Sequence, residues 1–254
     1  MVKTTIHKAD GAKKGEVDLP AVFATPYRPD IIAKAVQASR ANRRQPYGAA
    51  MMAGAMHSTE SAGKGRGMSR VPRTKNDNAG ALAPPTVGGR RAHPPRSDKD
   101  WSEKVNDKER RLAIRSALAA TQDRELVAAR GHRVGEKVQL PVVVDAGFEK
   151  LATTKDVLAA LQKLGLGDDL ARASDGVHVR AGRGKTRGRR LKRPRSLLIV
   201  AKDISKLLDA AANIPGVEVS TLAQLNAERL APGGTAGRLA VITEAALKDM
   251  EALQ

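Results

Sequence analysis

The stretch "LPVVVD", residues 140–145, decides the fold class of this 254-residue chain. It is a short run rich in β-branched residues and without polar alternation, which is the pattern of a strand covered on both faces. Two runs of the same kind follow it, "SLLIVA" at residues 196–201 and "LAVIT" at residues 239–243. The stretch "VEV", residues 217–219, is a weaker fourth candidate. These runs predict a sheet at the centre of the molecule.

Amphipathic helical patterns separate the predicted strands. Residues 153–165 ("TTKDVLAALQKLG") start with Thr153 and Asp156 in capping-box positions and end at Gly165. Asp203 is placed to cap a second helix. The apolar stripe predicted for that helix consists of Ile204, Leu207, Leu208, Ala211 and Ala212. The alternation of strands and helices predicts an α/β fold, a three-layer globular domain with a parallel sheet between helices.

Upstream of these elements, the pattern predicts two helices, at residues 30–43 and at about 98–121. The first 20 residues predict a hairpin with a glycine-containing turn. We therefore expect residues 1–44 and 98–254 to form one α/β body. Residues 45–97 leave that body from one helix and return into the next, which makes them a protruding finger.

The composition of the finger does not suit a hydrophobic core. Residues 45–97 contain eight Gly, six Pro, eight Lys or Arg and two acids, with no sustained hydrophobic period. This predicts a long Gly/Pro/Arg-rich loop without secondary structure, and loops of such length are usually functional or disordered. Only Tyr47 provides an aromatic ring within the finger, which disfavours a single-strand reader that stacks several bases.

Positive charge is concentrated in two segments. The chain has a formal net charge of +18, of which the finger carries +6. Residues 180–195 ("RAGRGKTRGRRLKRPR") carry nine positive and no negative charges and form a second basic loop within the body. Dense like charge predicts a polyanionic partner, RNA or DNA first and an anionic membrane surface second. Glycine between arginines lets the backbone approach phosphates, so recognition of folded RNA fits best.

Two glycine clusters resemble nucleotide-binding motifs but have the wrong context. "GRGKT", residues 182–186, has Val179 where a phosphate-binding loop needs glycine, and Pro194 follows where its helix should continue. "GKGRG", residues 63–67, has no preceding strand and no following helix, which argues against a dinucleotide site. We therefore expect no cofactor.

Catalytic and metal-binding patterns are also missing from the sequence. There is no Cys and no GxSxG motif, and the five histidines are scattered: His7, His57, His93, His132 and His178. Asp168 and Asp169, and the acids within residues 97–100, are interpreted as helix starts. We expect no enzyme activity and no metal. No apolar run is long enough for a signal peptide or a membrane span, which favours a cytoplasmic location.

Five stretches, in order along essentially the whole chain, resemble the large-subunit ribosomal protein L-four family in its archaeal form. They are "GKGRGMSRVPR" (63–73), "VGGRRAHPP" (87–95), "DKERRLAIRSALAAT" (107–121), "RGH" (130–132) before "LPVVVD", and "LAPGGTAGRLAVITEAAL" (230–247). The resemblance implies an α/β domain on the outer face of the large ribosomal subunit. It also implies a finger threaded through rRNA, whose tip helps to line the constriction of the nascent-peptide exit tunnel.

The resemblance implies several partners and a set of RNA-binding residues. The expected partners are large-subunit rRNA, neighbouring ribosomal proteins including the other protein of the tunnel constriction, and the nascent peptide, with no membrane. In the finger, the expected RNA-binding residues are Lys64, Arg66, Arg70, Arg73, Lys75, Arg90, Arg91, His93 and Arg96. In the second loop, charge alone assigns the same role to Arg180, Arg183, Lys185, Arg187, Arg189, Arg190, Lys192, Arg193 and Arg195.

Two other functions compete with a structural rRNA-binding role. The first is an RNA-processing or RNA-modifying enzyme whose basic arms hold RNA, which a cofactor fingerprint after a strand would favour. The second is a DNA-compacting protein, which would need no finger of this length. Co-sedimentation with large subunits at high salt separates the three.

We expect the purified protein to hydrolyse neither ATP nor GTP, because Val179 interrupts the phosphate-binding loop pattern around Lys185. Phosphate release is the measurement, and Lys185→Ala should leave the background rate unchanged. Hydrolysis that this substitution abolishes would contradict the interpretation.

Overall fold

A computed structural model describes residues 3–251 of the chain. Residues 1–2, at the start of the predicted hairpin, and residues 252–254, at the end of the predicted body, lie outside the described part. The chain divides into two compact units. The first, here called the body unit, is Met1–Ser39 with Lys104–Gln254. The second, the finger unit, is Arg40–Glu103 and contains the predicted finger.

The regular elements follow one another along the chain in ten strands and eight helices within residues 3–251. The strands are β1 (Lys3–His7), β2 (Lys13–Asp18), β3 (Thr59–Ser61), β4 (Pro72–Thr74), β5 (Val142–Val144), β6 (His178–Val179), β7 (Leu191–Lys192), β8 (Leu198–Val200), β9 (Glu218–Ser220) and β10 (Ala240–Thr243). The α-helices are α1 (Pro29–Asn42), α2 (Asp107–Ala119), α3 (Arg124–Ala129), α4 (Thr154–Lys163), α5 (Gly167–Asp175), α6 (Ser205–Ala211), α7 (Ala227–Leu230) and α8 (Glu244–Met250).

A six-stranded sheet in the order β2-β1-β5-β10-β8-β9 forms the centre of the body unit. Neighbouring strands from β1 to β9 in that order pair in parallel, and β2 pairs with β1 in antiparallel orientation. The turn of this predicted hairpin contains Gly11 at φ +83°. Crossover connections that return to the same edge of the sheet produce parallel strands. The predicted α/β class with a mostly parallel sheet is confirmed.

Both faces of the sheet are covered at β5, β8 and β10, which explains the absence of polar alternation in these strands. Val142, Val143 and Val144 of β5 are all buried, yet they belong to two different hydrophobic clusters. Val143 packs in the cluster that includes residues of α1, α2, α7 and α8. Val142 and Val144 pack in the cluster that includes residues of α4, α5 and α6. The body unit therefore has three layers, helices on either side of one sheet.

The predicted start of α4 is observed in atomic detail. Thr153 Oγ1 accepts a hydrogen bond from the Asp156 backbone N–H at 3.2 Å and donates to Asp156 Oδ2 at 2.7 Å. Gly165, just beyond the last turn, has φ +79°, a conformation that side-chain-bearing residues rarely adopt. Capping at both ends confines this helix to the predicted residues.

The second predicted helix, α6, differs from the expectation at its start and in its apolar stripe. Asp203 Oδ1 accepts from the Ser205 backbone N–H at 3.0 Å, but the N-cap residue is Ile204, one position later. The predicted stripe is wrong at Leu208, which is 44% exposed, and at Ala212, which is exposed just beyond the helix, whereas Ala210 is buried. A helix of only two turns buries a narrow face, and Leu207 and Ala211 already occupy it.

Two predictions for the regions around the finger are wrong. The helix expected from about residue 98 starts at Asp107, because the acid of Asp100 instead binds the backbone N–H and the hydroxyl of Ser102. The finger, expected to be without secondary structure, contains β3 and β4, which pair in antiparallel orientation. Backbone pairing there satisfies polar groups without requiring a hydrophobic core.

We expect Leu161→Ala to lower the free energy of unfolding by about 2–5 kcal/mol, because Leu161 on α4 is fully buried and its removal leaves a cavity. Leu208→Ala on α6 is the matched control and should change it by less than about 1 kcal/mol. Urea unfolding followed by circular dichroism measures both. Equal effects would contradict the described packing of the two helices.

Candidate RNA-binding surface

The second basic loop is a β-hairpin within the body unit. Strands β6 and β7 pair in antiparallel orientation, and the Arg180 backbone N–H donates to the Arg190 carbonyl at 2.8 Å. A short 3₁₀ turn, Arg183–Thr186, lies between them. A phosphate-binding loop requires a strand, a loop and a helix in succession. The hairpin geometry of "GRGKT" therefore differs from that of a nucleoside-triphosphate site. We call residues 178–195 the basic hairpin.

A buried carboxylate holds the base of the basic hairpin. Asp169 on α5 is fully buried and accepts hydrogen bonds from Ser196 Oγ at 2.5 Å and Arg172 Nε at 2.9 Å. His132 Nδ1 lies 3.1 Å from Asp169 Oδ2, and the Arg133 backbone N–H also donates to this carboxylate. Burial raises the pKa of Asp169, but hydrogen bonds from His132, Arg172 and Ser196 outweigh it. The pKa of this carboxyl therefore lies well below its usual range.

A buried arginine, Arg238, also holds the base of the basic hairpin. We call Asp169 and Arg238 the anchor residues of the hairpin. Arg238 is fully buried, and its guanidinium donates to the Ser196 carbonyl at 3.0 Å, to the Arg229 carbonyl at 2.7 Å and to the Glu218 carboxylate. Burial lowers the pKa of Arg238 to about 9, so it stays charged at neutral pH. Arg195, the last residue of the basic hairpin, forms an ion pair with the same Glu218. The base of the basic hairpin is therefore attached to the core. Asp169 and Arg238 both form hydrogen bonds with Ser196, and Arg195 pairs with Glu218.

The finger unit presents its basic residues on hairpins and turns. Residues 63, 65 and 67 of "GKGRG" are glycines with φ between +66° and +82°, and no atom lies within 4 Å of the Cβ position of any of them. The backbone is therefore left-handed at Gly63, Gly65 and Gly67, and a ligand can approach it closely at these residues. That combination suits contact with phosphates, because no side chain at the glycines keeps a ligand away.

The structure places the predicted RNA-binding residues in two groups, one in the finger unit and one on the basic hairpin. All of these residues are exposed except Arg73 and Arg180, which are half-buried. Four side chains have internal partners. Arg73 donates to the Asn78 carbonyl and Ser69 Oγ, Lys75 pairs with Glu60, Arg180 donates to the Arg189 carbonyl, and Arg195 pairs with Glu218.

The remaining predicted side chains form no ion pair or hydrogen bond with any residue that the structure describes. They are Lys64, Arg66, Arg70, Arg90, Arg91, His93, Arg96, Arg183, Lys185, Arg187, Arg189, Arg190, Lys192 and Arg193. Unpaired cations at this density repel one another until an external anion neutralises them. These residues can therefore contribute most to binding a polyanion, whereas the four paired residues also support the loops themselves.

Sequence reasoning missed the anchor residues. Asp169 was interpreted as a helix start, and it does lie in the first turn of α5, but its carboxylate binds Ser196, 27 residues further on. Arg238 follows Gly237 in a glycine-containing stretch before β10 and has no local pattern that distinguishes it from a surface arginine. Contacts between residues distant in sequence leave no periodic signal.

The carboxyl-terminal edge of the sheet, where α/β proteins usually bind ligands, is occupied by polar side chains that bind each other. Glu149 accepts hydrogen bonds from the Lys202 backbone N–H at 3.0 Å and from Thr243 Oγ1 at 2.6 Å. Beside it, Lys14 pairs with Asp145 at 2.7 Å and with Glu244 at 3.1 Å. These groups have their partners within the protein.

Metal-ligand clusters and membrane-spanning helices are absent from residues 3–251. That part of the chain contains no group of three or more His, Cys, Asp or Glu residues that could hold a metal ion. None of its helices is long and apolar enough to cross a membrane.

An α/β body in a chain with two segments rich in unpaired cations is typical of a protein that holds folded RNA. The comparisons with known proteins agree with that class. The model of the Ribosomal protein L4/L1 family matches residues 17–253, and the chain belongs to this family.

Several curated archaeal relatives are similar over nearly their full length. The large ribosomal subunit protein uL4 of Methanococcoides burtonii is 50% identical over 253 residues, which cover 100% of this chain and 99% of the relative. The uL4 proteins of Halorubrum lacusprofundi and Methanocaldococcus jannaschii are 47% and 48% identical, and each alignment covers 98% of this chain. They cover 99% and 98% of those relatives. The resemblance inferred from the sequence is confirmed.

We expect Asp169→Asn to lower the free energy of unfolding by about 3–5 kcal/mol at pH 7, because it removes the buried negative charge that pairs with Arg172 and that Ser196 and His132 contact. The folded pKa of Asp169 is depressed, so its contribution is complete above the unfolded pKa, near 3.9 for an Asp, and is lost as pH falls through the folded pKa. The difference between wild type and variant should therefore narrow below about pH 4.

Urea unfolding at several pH values measures this difference. Asp168→Asn is the control, because Asp168 is exposed in the same helical turn and should matter by less than about 1 kcal/mol. A pH-independent difference, or equal effects of the two substitutions, would rule out the buried role of Asp169.

Proposed function

We propose that this protein is a non-enzymatic structural constituent of the large ribosomal subunit that binds large-subunit rRNA through its finger and basic hairpin. The main support for this proposal is the unpaired positive charge of the basic hairpin. Arg180–Arg195 contains no acid, and most of its cations have no partner among the described residues. Neutralising phosphates releases counterions, which gives RNA binding a large favourable and salt-dependent free energy. The relatives named as large ribosomal subunit proteins support the same assignment, and with it a cytoplasmic location in the ribosome.

The alternative, an RNA-processing or RNA-modifying enzyme, has less support. An enzyme on this fold would need polar groups free to act at the carboxyl-terminal edge of the sheet. Glu149, Asp145 and Glu244 lie at that edge, and all three have partners within the protein. Membership in a ribosomal protein family favours a structural role over turnover.

The finer part of the proposal concerns the finger. Residues 45–97 run through rRNA, and the tip around residues 66–73 lines the constriction of the nascent-peptide exit tunnel beside a second ribosomal protein. Arg66 and Arg70 are exposed and without internal partners among the described residues, and the glycines between the cations leave the backbone open. Such a segment can lie against phosphates on one side and a passing peptide on the other. Neighbouring ribosomal proteins contact the body.

We expect replacement of residues 54–84 by a short Gly/Ser linker to leave the body unit folded, since the hydrophobic clusters are almost entirely outside this stretch and shortening a loop changes closure entropy only slightly. RNA binding should persist with a shallower salt dependence, reduced by roughly 0.7–0.9 for each phosphate that the shortened protein no longer neutralises. Ribosomes that contain the shortened protein should show altered cross-linking of nascent chains to the tunnel wall.

A hairpin variant provides the matched control. Replacing Arg183, Arg187, Arg189 and Arg190 by Gln removes a similar number of cations from the other segment. It should also reduce the salt dependence of RNA binding but leave tunnel cross-linking unchanged. The tunnel assignment is wrong if both variants alter the cross-links equally, or if neither does. Unfolding of the purified body by the linker replacement would contradict the independence of the two units.

A further inference from the structure

A cleft in the finger unit combines the two kinds of surface that a nucleotide requires. It has a volume of about 710 Å³ and is open to solvent. Its lining contains the rings of Tyr47 and Trp101 and the basic side chains of Arg91, Arg96 and Lys99, together with His93, Pro94, Pro95 and Asp98. Tyr47 and Trp101 are 54 positions apart in the sequence, so periodic analysis could not pair them.

The aromatic side chains in this cleft differ in exposure. Tyr47 is 65% exposed, although a tyrosine ring is large and mostly apolar. Trp101 is half-buried, with the guanidinium carbon of Arg44 3.7 Å and Lys99 Nζ 4.4 Å from its ring centroid. These distances place both cations within cation–π range of the indole. The indole Nε1–H is buried and has no hydrogen-bond partner among the described residues.

We propose that this cleft binds one unpaired nucleotide of an RNA strand, with its base against Tyr47 and its phosphate beside Arg91 and Arg96. An unpaired base offers a flat ring that stacks on an aromatic side chain, and its phosphate offers the anion that the arginines lack. The prolines provide further apolar surface, and Asp98, the single acid in the lining, can accept a hydrogen bond from a base amino group. A regular duplex cannot use this site, because its bases are stacked on one another.

This inference rests on the proposed RNA-binding function and adds a specific site to it. Phosphate neutralisation by the basic hairpin would hold any RNA of sufficient charge. The cleft selects RNA that carries an unstacked base, such as a bulge or a loop. It therefore contributes discrimination between RNA structures, whereas the basic hairpin contributes affinity.

The chain offers a direct probe, because Trp101 is its single tryptophan. The test uses the full chain and two RNA duplexes of the same sequence, of which one carries a single bulged adenosine. We expect the bulged duplex to change Trp101 fluorescence and to bind roughly 5- to 150-fold more tightly than the regular duplex. This range corresponds to ~1–3 kcal/mol per stacked base.

Substitutions at the two tyrosines of the chain supply the controls. Tyr47→Ala should abolish the preference for the bulged duplex, whereas Tyr47→Phe, which retains the ring, should preserve it. Tyr27→Ala removes a tyrosine that is 42% exposed on the body unit and should have no effect on this preference. Equal binding of the two duplexes, or equal effects of Tyr47→Ala and Tyr27→Ala, would overturn the proposal.

Two further measurements distinguish the cleft from a free-nucleotide site and from the general RNA-binding surface. If adenosine monophosphate changes Trp101 fluorescence as fully as the bulged duplex and displaces it at comparable concentration, the cleft is a site for free nucleotides and the RNA proposal fails. The regular duplex tests the general function independently. Its salt-dependent binding, weakened by the Gln variant of the basic hairpin, supports rRNA binding even when Tyr47→Ala has no effect, whereas its failure to bind contradicts the proposed function itself.

Discussion

Burial of the central sheet on both faces is the constraint on which the remaining features depend. Strand β5 buries three consecutive valines, two towards one helical layer and one towards the other. An unpaired charge cannot be placed in either layer at acceptable free energy. The fully buried strands β5, β8 and β10 accordingly contain no charged residue, and the densest positive charge lies outside the sheet, in the finger and the basic hairpin. Where a charge does enter the core, as at Arg238 and Asp169, it is fully hydrogen-bonded.

The same constraint explains how a charged hairpin can be held firmly. A short strand pair such as β6 and β7 is marginally stable by itself. Its root at Ser196, however, is held between the buried carboxylate of Asp169 and the buried guanidinium of Arg238. Each of these charges would be costly to bury alone, and each has its own partner: Arg172 pairs with Asp169, and Glu218 pairs with Arg238. These contacts fix the backbone at the base of the hairpin, while most of its basic side chains have no partner among the described residues.

Local patterns in the sequence predicted most of the body. The apolar runs at β5, β8 and β10 and the Thr153 cap were found because they depend on residues that are near each other in the chain. The start of α2 was placed too early, because Asp100 caps a turn as readily as a helix and composition alone does not distinguish the two. The sequence also predicted the two charged segments, because each is a run of adjacent residues. It did not predict the anchor around Asp169 or the cleft between Tyr47 and Trp101, because both join residues far apart in sequence.

The base of the finger unit has a further consequence. Asn42, the last residue of α1, donates from Nδ2 to the Glu103 carbonyl at 3.2 Å and accepts at Oδ1 from the Glu103 backbone N–H at 2.8 Å. The side chain of Asn42 thus satisfies both backbone hydrogen-bonding groups of Glu103, the last residue of the finger unit, as a neighbouring strand would. These two hydrogen bonds hold Asn42 and Glu103 side by side, although 60 residues lie between them in the sequence. A change in the length of the enclosed segment would cost little free energy while these hydrogen bonds stay in place, because loop-closure entropy grows only slowly with loop length.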